Sequence, residues 1–187
     1  NLSLQLSSYG ITINNIAPGA IYTDRNSVIY LDDGTATQIT SQGYGWCNFH
    51  ASKNNDCVYV GSNNADGIIY LNGTTAQQIY STGNRWRHYF EDSKGNVYVS
   101  SATSNSGNLG IVHLKGTTAN LIYSTGYNWQ YYFEDSKENV YVSGVNASGI
   151  LRLDGATANI IYLFGTDWQY YNERPEGVVV SKNVIPD

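Results

Sequence analysis

Glu91-Asp92, Glu134-Asp135 and Glu173 stand at one register, five and six residues after a tryptophan (Trp86, Trp129 and Trp168). Paired carboxylates are the raw material of general acid–base catalysis. One active site needs one pair, however, and a pair that returns with each tryptophan reads as a turn-capping device. The run Asp-x-x-Gly-Asn also suggests a calcium loop, but it offers too few oxygen ligands at the required spacing. His50, His88 and His113 have no partner at metal-ligating spacing and no cysteine cluster beside them. His88 holds a position that Tyr131 and Tyr170 fill later, so it is expected to pack as an aromatic. No Ser-His-Asp arrangement or nucleophile elbow is recognisable. The expectation is a protein that is not an enzyme, with no catalytic residues, no metal and no cofactor.

Cys47 and Cys57 flank one expected turn. Depending on strand register they either lie within the ~7 Å between Cα atoms that a disulfide spans or are two reduced strand residues. A bridge would point to an exported protein, extracellular or periplasmic. Asn1, Asn72 and Asn146 open Asn-x-Ser/Thr sequons, which matter only in a eukaryotic secretory setting.

Composition bounds the rest. Only 13% of the 187 residues are charged, about half the usual ~25%, while 13% are aromatic, 17 of them tyrosines, which argues against disorder. Ten basic and fifteen acidic residues give a net charge of −5, so nucleic-acid backbone binding is not expected. No apolar run approaches the ~20 residues of a membrane-spanning helix, so no membrane insertion is expected. The chain has no Met and no visible signal peptide, and reads as processed or trimmed.

The elements that position these residues are written several times over. GTATQIT, GTTAQQIY, GTTANLIY and GATANIIY begin at Gly34, Gly73, Gly116 and Gly155. Trp46, Trp86, Trp129 and Trp168 follow the same period, as do CVYVG from Cys57 and NVYVS from Asn96 and Asn139. Each unit reads as four short strands of β-branched and aromatic residues bounded by turn residues. The first opens at the Trp, VYV is the second, GIIYL, GIVHL or GILRL the third, and AQQIY, ANLIY or ANIIY the fourth. Four strands per ~40 residues, repeated, is the pattern of a β-propeller blade.

The pieces FEDSKGNVYVS at Phe90 and FEDSKENVYVS at Phe133 resemble the two-component-regulator type of propeller repeat, over residues 27–182. That resemblance implies an all-β propeller of four-stranded antiparallel blades acting as a sensor or interaction domain. Three units are complete, 44–82, 83–125 and 126–165. Residues 166–182 supply only a first and second strand, and 27–43 only a third and fourth, so joining them gives four blades. Five blades, or blades shared between chains, are the alternatives. Residues 1–26 form an extension that can add a strand pair. They resemble a short-chain dehydrogenase/reductase segment at Tyr9-Gly10, Ile11, Asn14, Asn15, Pro18, Gly19 and Thr23. That family's Tyr-x-x-x-Lys pair and Gly-rich dinucleotide loop are absent, and without them hydride transfer has no machinery.

In an antiparallel four-stranded blade, the loop between strands two and three emerges beside the linker into the next blade. The candidate ligand-binding residues are therefore Tyr44, Asn63, Asn64, Asp66, Asn84, Arg85, Asn105, Tyr127, Asn128, Asn146 and Asp167. Amides and hydroxyls beside aromatics suit a glycan or a protein ligand. The expected function is a non-catalytic binding module, lectin-like or protein-binding, with homo-oligomer formation open. A scaffold or sensor cut from a larger propeller protein is one alternative, and an enzyme with a site in the propeller channel another.

Overall fold

A computed structural model describes residues 28–32, 35–40, 45–64, 67–102, 110–145 and 147–182. Among the described residues there are sixteen strands and no helix. Three complete antiparallel sheets each take four consecutive strands in sequence order. The first holds β3 (Trp46–Ala51), β4 (Val58–Ser62), β5 (Ile68–Asn72) and β6 (Thr75–Tyr80). The second holds β7 (Trp86–Glu91), β8 (Val97–Ser101), β9 (Ile111–Lys115) and β10 (Thr118–Tyr123). The third holds β11 (Trp129–Glu134), β12 (Val140–Gly144), β13 (Ile150–Asp154) and β14 (Thr157–Tyr162). The all-β repeat of four-stranded sheets expected from the sequence is thus present. The leading half-unit, β1 (Val28–Asp32) with β2 (Thr35–Thr40), and the trailing one, β15 (Tyr170–Arg174) with β16 (Gly177–Ser181), are two separate two-stranded sheets. The 1–26 extension lies outside the described residues.

Turn chemistry sets the registers. Strands three and four of each unit pair across a two-residue turn, as in Asn72↔Thr75, Lys115↔Thr118 and Asp154↔Thr157. The glycine that opens strand three is obligatory for a different reason. A Cβ on Gly110, at φ +111°, would lie 1.7 Å from the Tyr123 carbonyl oxygen, where any larger residue forces the hairpin open.

The apolar core lies between neighbouring sheets. Strands β3, β7 and β11 adjoin in turn, as do β6, β10 and β14. Between the first and second sheets, Tyr59 and Ile68 meet Trp86, Val97, Val112 and Leu114, with Ile79 and Tyr80 packed alongside. Between the second and third, Tyr98 and Ile111 meet Trp129, Val140, Leu151 and Leu153, with Ile122 and Tyr123 alongside. Trp86 and Trp129 are each 1% exposed, and Tyr80 and Tyr123 meet them edge-on at 5.5 Å, the arrangement a ring quadrupole favours. An aromatic ladder also crosses each joint. His50 stacks on Tyr89, Phe90 on Tyr132 and Phe133 on Tyr171, at 5.2–5.4 Å between centroids.

Candidate functional site

The recurring carboxylates divide into two structural roles. Asp92, at the end of β7, caps its own turn. Its Oδ1 accepts the backbone N–H groups of Lys94 and Asn96, and its Oδ2 accepts from the Asn96 amide and the Tyr98 hydroxyl. Asp135 repeats this arrangement with Lys137, Asn139 and Tyr141. Burial alone would raise the Asp135 carboxyl, but its bonds to Asn139, Lys137 and Tyr141 outweigh that and hold it below its ordinary range. Turn capping, the expected role, is what these aspartates do.

The glutamates reach across instead. Glu91 clasps the turn of the preceding unit. It accepts from Ser52 Oγ at 3.0 Å, from the Lys53 and Asn54 backbone N–H groups at 2.8 and 3.0 Å, and from the Asn54 amide. His50 Nε2 lies 3.2 Å from its Oε2. Burial pushes Glu91 upward, and these bonds more than reverse it, so the carboxylate titrates low. Glu134 takes the Ser93 N–H and hydroxyl, and Glu173 those of Ser136. No sequence signal identified these partners, which stand 37–41 residues away. Every carboxylate of the series is thus occupied by scaffold donors.

The histidines are engaged as well. His88 Nε2 lies 3.2 Å from Asn128 Oδ1 in the linker to the next unit, a polar contact that its aromatic register did not signal. His113 Nε2 lies 3.1 Å from Asn96 Oδ1. Burial lowers the pKa of all three. Among the described residues, no group of three or more His, Cys, Asp or Glu side chains is placed to hold a metal ion. Cys47 and Cys57 are both free, Cys47 exposed and Cys57 buried. The register explains why: β3 pairs with β4 from Trp46↔Ser62 to Ala51↔Val58, which puts the cysteines at opposite ends of the hairpin. Without a bridge, the cysteines give no pointer to export.

The linkers and the loops between strands two and three do come together. The residue before each Trp has one backbone conformation throughout: Gly45, Arg85, Asn128 and Asp167 lie at φ 78°, 58°, 58° and 64°. The linkers at Arg85 and Asn128 are pinned from both sides, those at Gly45 and Asp167 from one. The N–H groups of Arg85, Asn128 and Asp167 donate to the carbonyls of Ser62, Ser101 and Gly144 at 2.6–2.9 Å, ending strand two of the preceding unit. In return, the carbonyls of Gly45, Arg85 and Asn128 accept from Asn63, Ala102 and Val145 in their own unit's loop. Asn63 Oδ1 also accepts from Arg87 at 3.0 Å and from Asn48 at 3.4 Å, and the Asn64 N–H donates to Ser62 Oγ. Ser101 Oγ donates to the Asn84 carbonyl, and Thr166 Oγ1 to Asp167. Tyr127 is half-buried beside Asn128.

Asn63, Asn64, Asn84, Arg85, Tyr127, Asn128 and Asp167 thus lie on pinned linkers and loops, while Tyr44, Asp66, Asn105 and Asn146 lie outside the described residues. Arg87 joins the group, missed because it sits one residue inside a strand. The left-handed positions had a signal in their residue types: Gly, Asn and Asp are those that tolerate positive φ, and only Arg85 departs from that set. Such a fixed non-glycine conformation costs of order 1–3 kcal/mol and persists where surrounding bonds over-determine it. What the arrangement offers chemically is a row of amide, guanidinium and carboxylate groups on a backbone that cannot shift. No protein-family model matches the chain, and neither does any curated protein or solved structure.

Proposed function

We propose that the chain is a non-catalytic binding module, built as a small β-propeller, whose linker and loop end receives a protein ligand. The reading rests on one observation. Four equivalent positions share a left-handed backbone yet present Gly45, Arg85, Asn128 and Asp167, a different side chain each time. A repeated sugar site would require equivalent groups on each unit, whereas a changing row of neutral, positive and negative groups suits one extended, non-repeating surface. The loops differ likewise: five residues separate Ser62 from Ile68 and Gly144 from Ile150, but nine separate Ser101 from Ile111. Function commonly resides on such loops carried by a rigid scaffold. The propeller reading is supported by the neighbouring order of the sheets, first strand beside first strand and fourth beside fourth. In this reading the half-units β15–β16 and β1–β2 make up one blade, giving four per ring within a chain or more when blades are shared.

The test is a variant carrying Asn64→Ala, Arg85→Gly and Asn128→Gly, in which glycine keeps the left-handed backbone. A displayed peptide library is selected on the native chain and a glycan array is probed in parallel. Peptide binders that lose at least tenfold in affinity on the variant are the expected result. Glycan binding with the same loss would replace protein by sugar as the ligand. Binding that ignores all three substitutions would sink the loop-end site.

A further inference from the structure

The array ends in an apolar shelf. Ile160, Ile161, Tyr162, Leu163 and Phe164 are 47%, 52%, 45%, 60% and 70% exposed, on and just beyond β14. Ile161 and Tyr162 differ in this from their register equivalents in the first two units, whereas Leu121, the equivalent of Ile160 in the second, is itself 46% exposed. Ile79 and Tyr80, with Ala119, pack against the core that includes Val112 and Leu114 of the next unit, and Ile122 and Tyr123, with Ala158, against the core that includes Leu151 and Leu153. Val112, Leu114 and Ala119, and their equivalents Leu151, Leu153 and Ala158, lie on strands three and four, and among the described residues the trailing unit shows β15 and β16 alone. The chain contains one further hairpin of the missing kind. In β1–β2, Leu31 pairs with Ala36, as Leu114 pairs with Ala119 and Leu153 with Ala158, and Ile29 occupies the place of Val112 and Leu151. That hairpin is a separate two-stranded sheet next to β6, not a partner of β16.

The opposite end has the reciprocal deficit. Phe49 occupies the register of Tyr89, Tyr132 and Tyr171, each of which stacks on the unit before it, but Phe49 is 51% exposed. Among the described residues the leading half-unit shows no first and second strands to cover it.

We propose that β1–β2 of a second copy of this chain adds to β16, completing the trailing unit and covering the Ile160–Phe164 shelf. This deepens the propeller reading and rests on it. The joint repeats one already made twice inside the chain, so the register is set by Val140↔Leu153, Tyr141↔Arg152, Val142↔Leu151 and Ser143↔Ile150. It is Val178↔Leu31, Val179↔Tyr30, Val180↔Ile29 and Ser181↔Val28. Lys94 pairs with Glu138 at 3.1 Å and feels the Asp154 carboxylate of the same unit more weakly; the residues in the places of Lys94 and Asp154 at the new joint are Lys137 and Asp32.

Four departures mark this joint as one between chains. Each of the three joints that follow the first sheet has a glutamate clasp, its serine and an aromatic ladder, and two have a tyrosine that reaches the next unit's turn, Tyr59 to Gly116 and Tyr98 to Gly155. Where the trailing unit would meet a leading one, Ala51 stands for the glutamate, Pro175 for the serine, Asn172 for the stacked aromatic and Val179 for the tyrosine. What remains is a backbone ladder and apolar burial, the means by which exposed strand edges recruit a second chain. The contact is head-to-tail, so it closes as a ring of two copies or continues as a filament.

The experiment uses two full-length chains, one with Val179→Cys and one with Tyr30→Cys, each also carrying Cys47→Ser. Directly opposed Cα atoms in an antiparallel pair are ~4.5–5.5 Å apart, within disulfide reach. The chains are mixed, oxidised and run without reductant, beside the sedimentation mass of the unsubstituted chain. Cross-linking between the two chains through the introduced cysteines, with a mass at or above twice 20.6 kDa, is expected. Ile161→Asp should return that mass to one copy while leaving the cooperative unfolding of the sheets in place, because the side chain is exposed. Cross-linking only when both cysteines share one chain, at single-copy mass, overturns the second-copy proposal and leaves the completed blade standing. No cross-link in either format, at single-copy mass, overturns both.

Discussion

Tyr89 and Tyr171 occupy one register and differ in what their hydroxyls meet. Tyr171 donates to Ser143 Oγ at 2.8 Å, and burial pushes its hydroxyl up to about 12 despite that bond. Tyr89 faces Gly61, which stands where the other units have Ser100 and Ser143, and its hydroxyl is buried without a hydrogen-bond partner. Leaving a buried hydroxyl unpaired costs about 1–3 kcal/mol, and a made hydrogen bond contributes about 1. Tyr89→Phe is therefore expected to stabilise the chain by roughly 1 kcal/mol, and Tyr171→Phe to cost about as much. Both rings keep their stacking partners, His50 and Phe133, so the comparison isolates the hydroxyl. Urea unfolding at neutral pH measures both; a loss on Tyr89→Phe equal to that on Tyr171→Phe would show that Tyr89 has a partner after all.

At the scale of the element, the clasp is what turns separate sheets into an array, and its three copies are not equal. Glu91 is 2% exposed at its side chain and satisfies two backbone N–H groups, a hydroxyl, an amide and His50. Among the described residues Glu134, half-buried, accepts from Ser93 alone. Removing one partner strands every donor it served, so Glu91→Ala should cost about 2–3 kcal/mol and Glu134→Ala about 1. Thermal unfolding of the two variants checks the order, and a larger loss at Glu134 would overturn it. The strands themselves were legible, because β-branched and aromatic runs between turn residues carry a local signal. The clasp was not. Glu91 and Asp92 are neighbours in sequence with identical chemistry, and only the tertiary arrangement sends one across the joint and folds the other onto its own turn. Nor does sequence separate the exposed Ile161 and Tyr162 from their half-buried equivalents. ANIIY at β14 and ANLIY at β10 are nearly the same words, and they differ in having two strands or four in the unit packed against them.

Taken as a whole, the molecule is a row of similar units held at similar joints, so its stability is approximately a sum of unit and nearest-neighbour terms. That the linkers and the loops between strands two and three share an end was readable from the antiparallel four-stranded order alone; which side chains are pinned there needed the left-handed linkers. The same additive picture gives a pH dependence, because titrating groups lie at the joints. His50 contacts Glu91 across the first joint and His88 contacts Asn128 across the second, while His113 is held inside the second sheet by Asn96. Burial lowers all three; Glu91 opposes this at His50 and Lys53 adds to it, Arg87 adds to it at His88, and at His113 Lys115 adds while Asp92 opposes. A histidine with a lowered folded pKa binds fewer protons folded than unfolded, so stability is lost as pH falls below the unfolded value near ~6.5. The low-titrating carboxylates Glu91 and Asp135 act later and in the same direction. Their contribution is intact above the ordinary carboxylate range of ~4 and disappears as pH falls through their folded values. The unfolding midpoint in urea is accordingly expected to be lower at pH 5.5 than at pH 7.5, and lower again at pH 4. His88→Gln, which keeps an amide facing Asn128, should reduce the first of these two losses while leaving the second. A midpoint that holds steady or rises between pH 7.5 and 5.5 would show that the joints do not carry the titration.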